Sequence, residues 1–210
     1  MIKVMITDDH AIVRQGLKQI LSETDDISVT GEAENGFQAL KLVRQYGFDV
    51  ILLDISLPDR NGIEVLKQIK KEYPSMAVLM LSMHNESEFA LRALKGGASG
   101  YLNKQSAPAQ LVTAIRTVAS GHKYITPVLA EELANTVTGG SDQPLHTTLS
   151  DREYQTLCMI AAGKALSEIS AAMCLSPKTV SVYRARLMEK LKLANNSELI
   201  RYAIKHNLVD

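Results

Sequence analysis

Three aspartates, a serine and a lysine carry the chemistry most worth following in this chain. Each stands at the end of an apolar run: Asp8 and Asp9 after Ile2–Thr7, Asp54 after Val50–Leu53, Ser82 after Val78–Leu81, and Lys104 after Tyr101–Leu102. If those runs are parallel strands of one α/β sheet, the side chains converge on its carboxyl edge, where such sheets bind ligands. Carboxylates clustered around one ammonium make a site for Mg²⁺ and a phosphoryl group. Mg²⁺ takes octahedral oxygen ligands and keeps several waters, so few protein groups are needed. A carboxylate can itself accept a phosphoryl group once the repulsion between anions is neutralised. Singly, an Asp at a strand end is an ordinary turn or cap residue, and Asp9 has the alternative of capping a helix that begins near Ala11. Agreement among four strand ends is what argues for a site.

The elements that must position these residues are legible up to about residue 120. Short runs rich in Val, Ile, Leu and Met, namely Lys3–Thr7, Ile27–Ala33, Asp49–Leu53, Ala77–Leu81 and Gly100–Leu102, predict strands. Between them the apolar spacing turns helical, as in Leu17, Ile20 and Leu21 or Ile63, Leu66 and Ile69. A fifth helical stripe follows with Leu111, Ile115 and Val118. Right-handed crossovers of this kind predict a doubly wound α/β domain with a five-stranded parallel sheet. Gly36 is expected to open the second helix, Pro58 to Gly62 to form a loop before the third, and Gly96–Gly97 to end the fourth.

Residues 136–149, rich in Gly, Ser and Thr, read as a flexible linker. Beyond them four helical segments take over. Ser150 and Glu153 form a capping box, Gly163 can end the first helix, Ser167 can cap the second, and Ser176-Pro177 supplies the cap and first residue of the third. The fourth starts near Asn196–Ser197. The expected organisation is therefore a domain over 1–120, a linker region over 121–147 with room for a short helix, and a small all-α domain of four helices over 148–210.

The 210 residues are 46% hydrophobic and 22% charged, enough apolar content to bury a sizeable core. No apolar run approaches the ~18 to 20 residues a bilayer span needs, and no basic segment followed by an apolar stretch marks a signal peptide, so a cytoplasmic protein without membrane contact is expected. Cys158 and Cys174 lack metal-ligand spacing and read as buried, reduced structural cysteines. The formal charge of zero hides an asymmetry. Residues 1–120 hold 13 Lys/Arg against 14 Asp/Glu, whereas 150–210 hold 9 against 6, so only the last segment leans toward polyanions.

Thr7-Asp8-Asp9-His10, Leu53-Asp54-Ile55-Ser56-Leu57-Pro58, Ser82 and Gly100-Tyr101-Leu102-Asn103-Lys104 resemble the receiver domain of bacterial two-component response regulators. Leu149-Ser-Asp-Arg-Glu153, Glu168-Ile169, Leu175-Ser176-Pro-Lys-Thr179-Val180 and Lys190-Leu191 resemble the LuxR-type helix-turn-helix domain. Together they resemble the NarL/FixJ type over essentially the whole chain. The resemblance and the chemistry lead to the same roles. Asp54 is the expected phosphoacceptor, and Asp8 or Asp9, with Asp54 and the carbonyl of Ser56, is expected to form the Mg²⁺ site. Lys104 supplies a compact positive charge and Ser82 a hydroxyl to phosphoryl oxygens. The resemblance further implies a histidine kinase or a small phosphodonor as the source, and a switch in which Ser82 is drawn inward and the ring of Tyr101 turns in with it. Structurally, Tyr101 has the alternative of being an ordinary edge-strand aromatic. One departure is Gln105, where many receivers have Pro after the lysine, so a trans bond is expected there.

A rival is a Mg²⁺ phosphatase of the haloacid dehalogenase type, whose nucleophilic Asp is followed two positions later by an acid/base Asp. That position here is Ser56, and without a general acid a lasting phosphoryl mark is favoured over fast turnover, so a dedicated enzyme is not expected. Ser56 and His84, two residues after Asp54 and Ser82, are expected to border the path of attacking water and set the phosphoryl lifetime. In the C-terminal domain the third helix is the candidate DNA reader. Its N-terminal turn would present Lys178, Ser181, Val182 and Ala185 to bases of double-stranded DNA, while Thr179, Tyr183, Arg184 and Arg186 meet phosphates. Homodimers pairing through Leu199, Tyr202 and Ala203 of the last helix would match paired half-sites. The competing reading is a signalling protein whose helical domain binds protein or RNA. Discrimination among DNA sequences, with salt dependence, separates the two.

Overall fold

The computed structural model describes residues 1–83, 87–105, 107–127, 129–131, 134, 144–206 and 208–209. They fall into two compact units, Met1–Thr136 and Val137–Asp210.

The first unit alternates strand and helix: β1 (Ile2–Thr7), α1 (Ala11–Ser22), β2 (Ile27–Ala33), α2 (Gly36–Gln45), β3 (Val50–Asp54), α3 (Gly62–Glu72), β4 (Ala77–Ser82), α4 (Ser87–Lys95), β5 (Gly100–Asn103) and α5 (Ala107–Ala119). The strands form one sheet in the order β2-β1-β3-β4-β5, and every pairing is parallel. The sequence predicted this doubly wound architecture. Central strands β3 and β4 are buried at every residue, as expected where helices cover both faces. Val4, Ile6, Val50, Leu52, Leu79 and Leu81 join Leu17, Leu21, Leu111 and Ile115 in one apolar layer. The alternate residues Met5, Ile51, Leu53, Val78 and Met80 are equally buried and project to the opposite face.

Three strands run one residue further than their apolar runs suggest. β3, β4 and β5 end at Asp54, Ser82 and Asn103, with Asp54 opposite Leu81 and Ser82 opposite Asn103. Polar residues that hydropathy assigns to loops are therefore held by the sheet ladder. Past α5, Tyr124 adds a single parallel bridge to Gly100, and Thr126 and Leu129 are buried. Tyr124, Thr126 and Leu129, which the sequence reading placed in the linker region, thus belong to the first unit.

The second unit opens on a 3₁₀ turn (Leu145–Thr148), followed by α6 (Asp151–Ala161), α7 (Leu166–Ala172), α8 (Pro177–Leu191) and α9 (Asn196–Lys205). Its core holds Leu157, Ile169, Met173, Val180, Leu187, Leu191 and Leu199. The predicted capping box is present: Ser150 Oγ accepts from the Glu153 N–H, and the Glu153 carboxylate accepts from the Ser150 N–H. Gly163 ends α6 with φ +81, and Ser176 caps α8 with Pro177 at its first position.

Four expectations are corrected. Ser167 does not cap α7. The helix begins at Leu166, and the Glu168 carboxylate accepts from the Ala165 N–H instead, because Glu reaches back one turn where Ser167 already has helical backbone. The end of the supposed flexible linker is ordered: His146 is buried, with its N–H donating to Tyr202 Oη (3.2 Å) and its ring Nδ1 3.1 Å from the same oxygen. Residues 136–143 of that stretch lie outside the described residues. Cys158 is buried as expected, but Cys174 is exposed, since a left-handed backbone (φ 49) turns it outward between α7 and α8. Leu199 and Ala203 of α9 are fully buried in the unit's own core and so are not available as a dimer surface. Among the described residues no helix is long and apolar enough to cross a membrane.

Candidate functional site

The sheet brings the predicted acidic and basic residues together at its carboxyl edge. Asp8 follows β1 and its N–H donates to the Ala33 carbonyl of β2 (3.1 Å). Asp54 ends β3, and Lys104 follows β5 with its N–H donating to the Ser82 carbonyl (2.8 Å). The Lys104 ammonium lies 2.6 Å from Asp8 Oδ2 and 2.8 Å from Asp54 Oδ2. Both carboxylates are buried, at 0% and 1% relative exposure. Burial pushes the Asp54 carboxyl above the usual carboxylate range and nearby Asp8 adds to this, while Lys104 and the Ser56 backbone N–H pull it down without prevailing. Burial pushes the Lys104 ammonium down, but Asp54 and Asp8 outweigh it and hold it above the usual lysine range.

Two buried carboxylates against one ammonium leave an unbalanced negative charge, which is costly in a dry site. Asp8 Oδ2 and Asp54 Oδ2 face the Lys104 ammonium and have no further hydrogen-bond partner among the described residues. Asp9 is exposed at the mouth, and ligand atoms of Asp8, Asp9, His10 and Asp54 lie within 4.8 Å of one another. The three carboxylates of this group fit a hard divalent cation. Asp9 is not a helix cap: its carboxylate lies 2.8 Å from His10 Nδ1, and His10 occupies the cap position. Ser56 sits in a turn closed by an antiparallel bridge to Asn61. Ser82 is buried, and so is Tyr101, whose ring is fully enclosed although β5 is an edge strand. There is no cis peptide among the described residues, so the Lys104–Gln105 bond is trans. His84 lies outside the described residues.

Sequence reasoning missed several residues that build this site. Gly62, the first residue of α3, approaches so closely that a Cβ there would stand 2.0 Å from the Asp54 carbonyl oxygen. Asn61 is buried, and its Oδ1 accepts from the Ile63 N–H to cap α3 (2.8 Å). Arg14 is buried on the same face of α1 as Leu17 and Leu21. Its Nη1 donates to the Asp8 carbonyl (2.7 Å) and its Nη2 to Glu34 Oε1 (2.9 Å). The available signal was an arginine in register with that helix's apolar stripe. Asp59 caps α2 from the loop before α3, accepting from the Gly36 and Phe37 N–H groups at 2.8 Å each.

The candidate DNA helix α8 behaves largely as its pattern predicts. Val180, Leu187, Met188 and Leu191 are buried and form its core face. Lys178, Ser181, Ala185 and Arg186 are exposed, and Val182 is an apolar residue left 41% exposed. Thr179, Tyr183 and Arg184 are half-buried. The Arg184 guanidinium donates twice to Asn196 Oδ1 (3.0 and 2.7 Å), which fixes it against the start of α9.

Comparison with known proteins adds independent findings. Residues 4–116 match the response regulator receiver domain, and residues 147–203 match the luxR family of bacterial regulatory proteins. The chain is 37% identical over 211 residues to the response regulator GacA of Pseudomonas syringae pv. syringae, covering 100% of this chain and 99% of that protein. It is 38% identical over 209 residues to the response regulator UvrY of Escherichia coli K12, covering 99% and 96%. A solved structure of RcsB from Salmonella enterica serovar Typhimurium, bound to promoter rprA in the presence of the phosphomimetic BeF3-, is similar with a TM-score of 0.66 and 26% identity over 96% of this chain and 97% of that one. With matching motifs, sheet order and helical unit already described, the chain belongs to the NarL/FixJ-type response regulators, which join a receiver domain to a LuxR-type helix-turn-helix domain.

Proposed function

We propose that this response regulator is phosphorylated on Asp54 by a histidine kinase and then binds double-stranded DNA as a homodimer to regulate transcription. The observation that carries the phosphoryl reading is the Lys104 ammonium held between buried Asp8 and Asp54, at 2.6 and 2.8 Å. A phosphoryl group on Asp54 would give Lys104 a new anionic partner, and Ser82, at the end of the neighbouring strand, is proposed to donate its hydroxyl to it. Mg²⁺ is proposed to be held by Asp8, Asp9 and Asp54 with the carbonyl of Ser56. When bound, it neutralises carboxylate and phosphoryl charge. Tyr101 is proposed as the switch residue, its buried ring responding to the position of Ser82. Ser56 and His84 are proposed to set the phosphoryl lifetime. The absence of an acid/base Asp at position 56 favours a lasting mark over dedicated enzymatic turnover.

The proposed division is a receiver over 1–120, a connecting region over 121–147 and a DNA-binding domain over 148–210. Lys178, Ser181, Val182 and Ala185 are proposed to reach bases, and Thr179, Tyr183, Arg184 and Arg186 phosphates. The net +3 of residues 150–210, from 9 Lys/Arg and 6 Asp/Glu, suits that role. The DNA-bound RcsB structures support this use of a similar chain. The cytoplasm, where kinase domains and DNA meet, is the proposed location.

The experiment treats wild type and Asp54→Ala with acetyl phosphate and Mg²⁺, then compares labelling and genome-wide footprints. Wild type should gain one acid-stable, base-labile phosphoryl group and a changed footprint, and the variant neither. Equal labelling of both would reject Asp54.

A further inference from the structure

His10 has no part in the chemistry above, yet the fold places it with the carboxylates. It occupies the N-cap position of α1 with extended backbone (φ −86, ψ 107), where Ser, Thr, Asp or Asn usually closes the first turn. Its side chain makes no capping hydrogen bond. Instead its backbone N–H donates to Asp8 Oδ1 (2.9 Å), and its Nδ1 lies 2.8 Å from Asp9 Oδ1 and 3.3 Å from Asp8 Oδ1. Two aspartates thus orient the ring, while the side chain stays 65% exposed at the mouth of the site. One ligand atom each from Asp8, Asp9, His10 and Asp54 lies within 4.8 Å of the others. Ligands of a six-coordinate ion with bonds near 2.1 Å stand about 3 Å apart when adjacent and about 4.2 Å when opposite, so the four atoms need only close in slightly to share one ion. A separate observation points to a cation as well: the buried carboxylates of Asp8 and Asp54 set two negative charges against the single ammonium of Lys104, at 2.6 and 2.8 Å.

Building on the metal reading proposed above, we propose that His10 is a direct nitrogen ligand of the divalent cation, giving the site a preference for first-row transition ions over Mg²⁺. Mg²⁺ takes oxygen ligands and gives up its waters reluctantly, so an imidazole adds little to its binding. Ions from Mn²⁺ to Co²⁺ bind mixed nitrogen and oxygen sites with rising affinity, and imidazole suits them. Nδ1 exchanges its contact with Asp9 for the ion.

The test uses the full chain with Mn²⁺, Co²⁺ and Mg²⁺ alone as probes. Pulsed electron paramagnetic resonance of bound Mn²⁺ should show coupling to a directly bonded ¹⁴N nucleus in wild type and none in His10→Ala. By calorimetry, the ratio of Co²⁺ to Mg²⁺ affinity should fall about tenfold in the variant, the scale at which even residues that only orient a ligand act. No ¹⁴N coupling in wild type, or coupling that persists in His10→Ala, would overturn the assignment. Asp54→Asn tests the reading beneath it. If Mn²⁺ binds that variant as tightly as wild type, the metal site itself is misplaced and both proposals fall. If only the ¹⁴N signal is missing, the metal site stands without His10.

Discussion

Asp8, Asp54, Ser82 and Lys104 come from four different strands of the first unit, and their side chains are enclosed by it. In the second unit Lys178, Ser181, Val182, Ala185 and Arg186 come from three turns of one helix, and all are exposed. The first arrangement depends on register, since a shift of one residue in any strand would turn its carboxylate or hydroxyl to another face. The second depends only on a helix of the right length lying on a core. Buried charge also makes the first site unforgiving, because a misplaced carboxylate has no water to stabilise it. The second can change side chains one at a time with graded effect. Tight coupling in one unit and near-independence in the other is what the following experiments break or sharpen.

The largest effect is expected at Gly62, where any side chain collides with the backbone of the proposed phosphoacceptor. Gly62→Ala should destabilise the first unit by about 3 kcal/mol and slow labelling of Asp54, although residue 62 carries no reactive group. Denaturant unfolding with a labelling time course measures both. A variant as stable and as readily labelled as wild type would mean the close approach is not a constraint. In the second unit, Lys178→Ala and Val182→Ala should each cost about 1 to 3 kcal/mol in binding to a preferred DNA sequence and relax preference at their own base position. Arg186→Ala should weaken all sequences alike and lower the salt slope by about one unit. The comparison fails if these three changes are strongly non-additive, because that would show a coupled surface like the buried site.

A smaller effect tests Glu153, a buried acid of the helical unit. Burial pushes the Glu153 carboxyl up, but the Lys190 ammonium at 2.6 Å and the Ser150 N–H and hydroxyl outweigh it and hold it below the usual 4.5. A carboxylate whose folded pKa is depressed contributes stability above its unfolded pKa and loses it as pH falls through the folded value. The melting temperature of this unit should therefore drop below about pH 4.5 in wild type, and the gap between wild type and Glu153→Gln should close there. A gap that stays constant with pH would assign the loss to the cap geometry and not to charge. The smallest effects concern timing. Ser56→Asn and His84→Ala should change the decay of labelled protein in excess Mg²⁺ without abolishing labelling, and unchanged decay in both would remove those side chains from the water's path.

Legibility in the sequence followed the same division. The receiver's strands are short β-branched and aliphatic runs, so hydropathy located them, but it stopped each central strand one residue early because Asp54 and Ser82 are polar. Their retention in the ladder reflects pairing with Leu81 and Asn103, a tertiary fact. In the helical unit the caps at Ser150 and Ser176 act through bonds three residues away and were readable. At α7 the same local logic chose Ser167, when the reciprocal reach of Glu168 had already set the start of the helix. Leu199 and Ala203 looked like a partner surface because amphipathic spacing reveals an apolar face without naming what covers it, and here the unit's own core does.

What the sequence by itself determined is the order of elements, the capping of the helices and the chemical identity of the residues at the strand ends, because each follows from spacing along the chain. What only the tertiary structure decided is which of those residues share one volume. Lys104 meets both Asp8 and Asp54 because β1 and β3 are neighbours, β4 is next to β3, and β5 borders β4. Gly62 and His10 joined the site for the same reason, since close approach and orientation are properties of packed elements, while the register of Arg14 with the apolar stripe of α1 marked its burial but not the Asp8 carbonyl it meets.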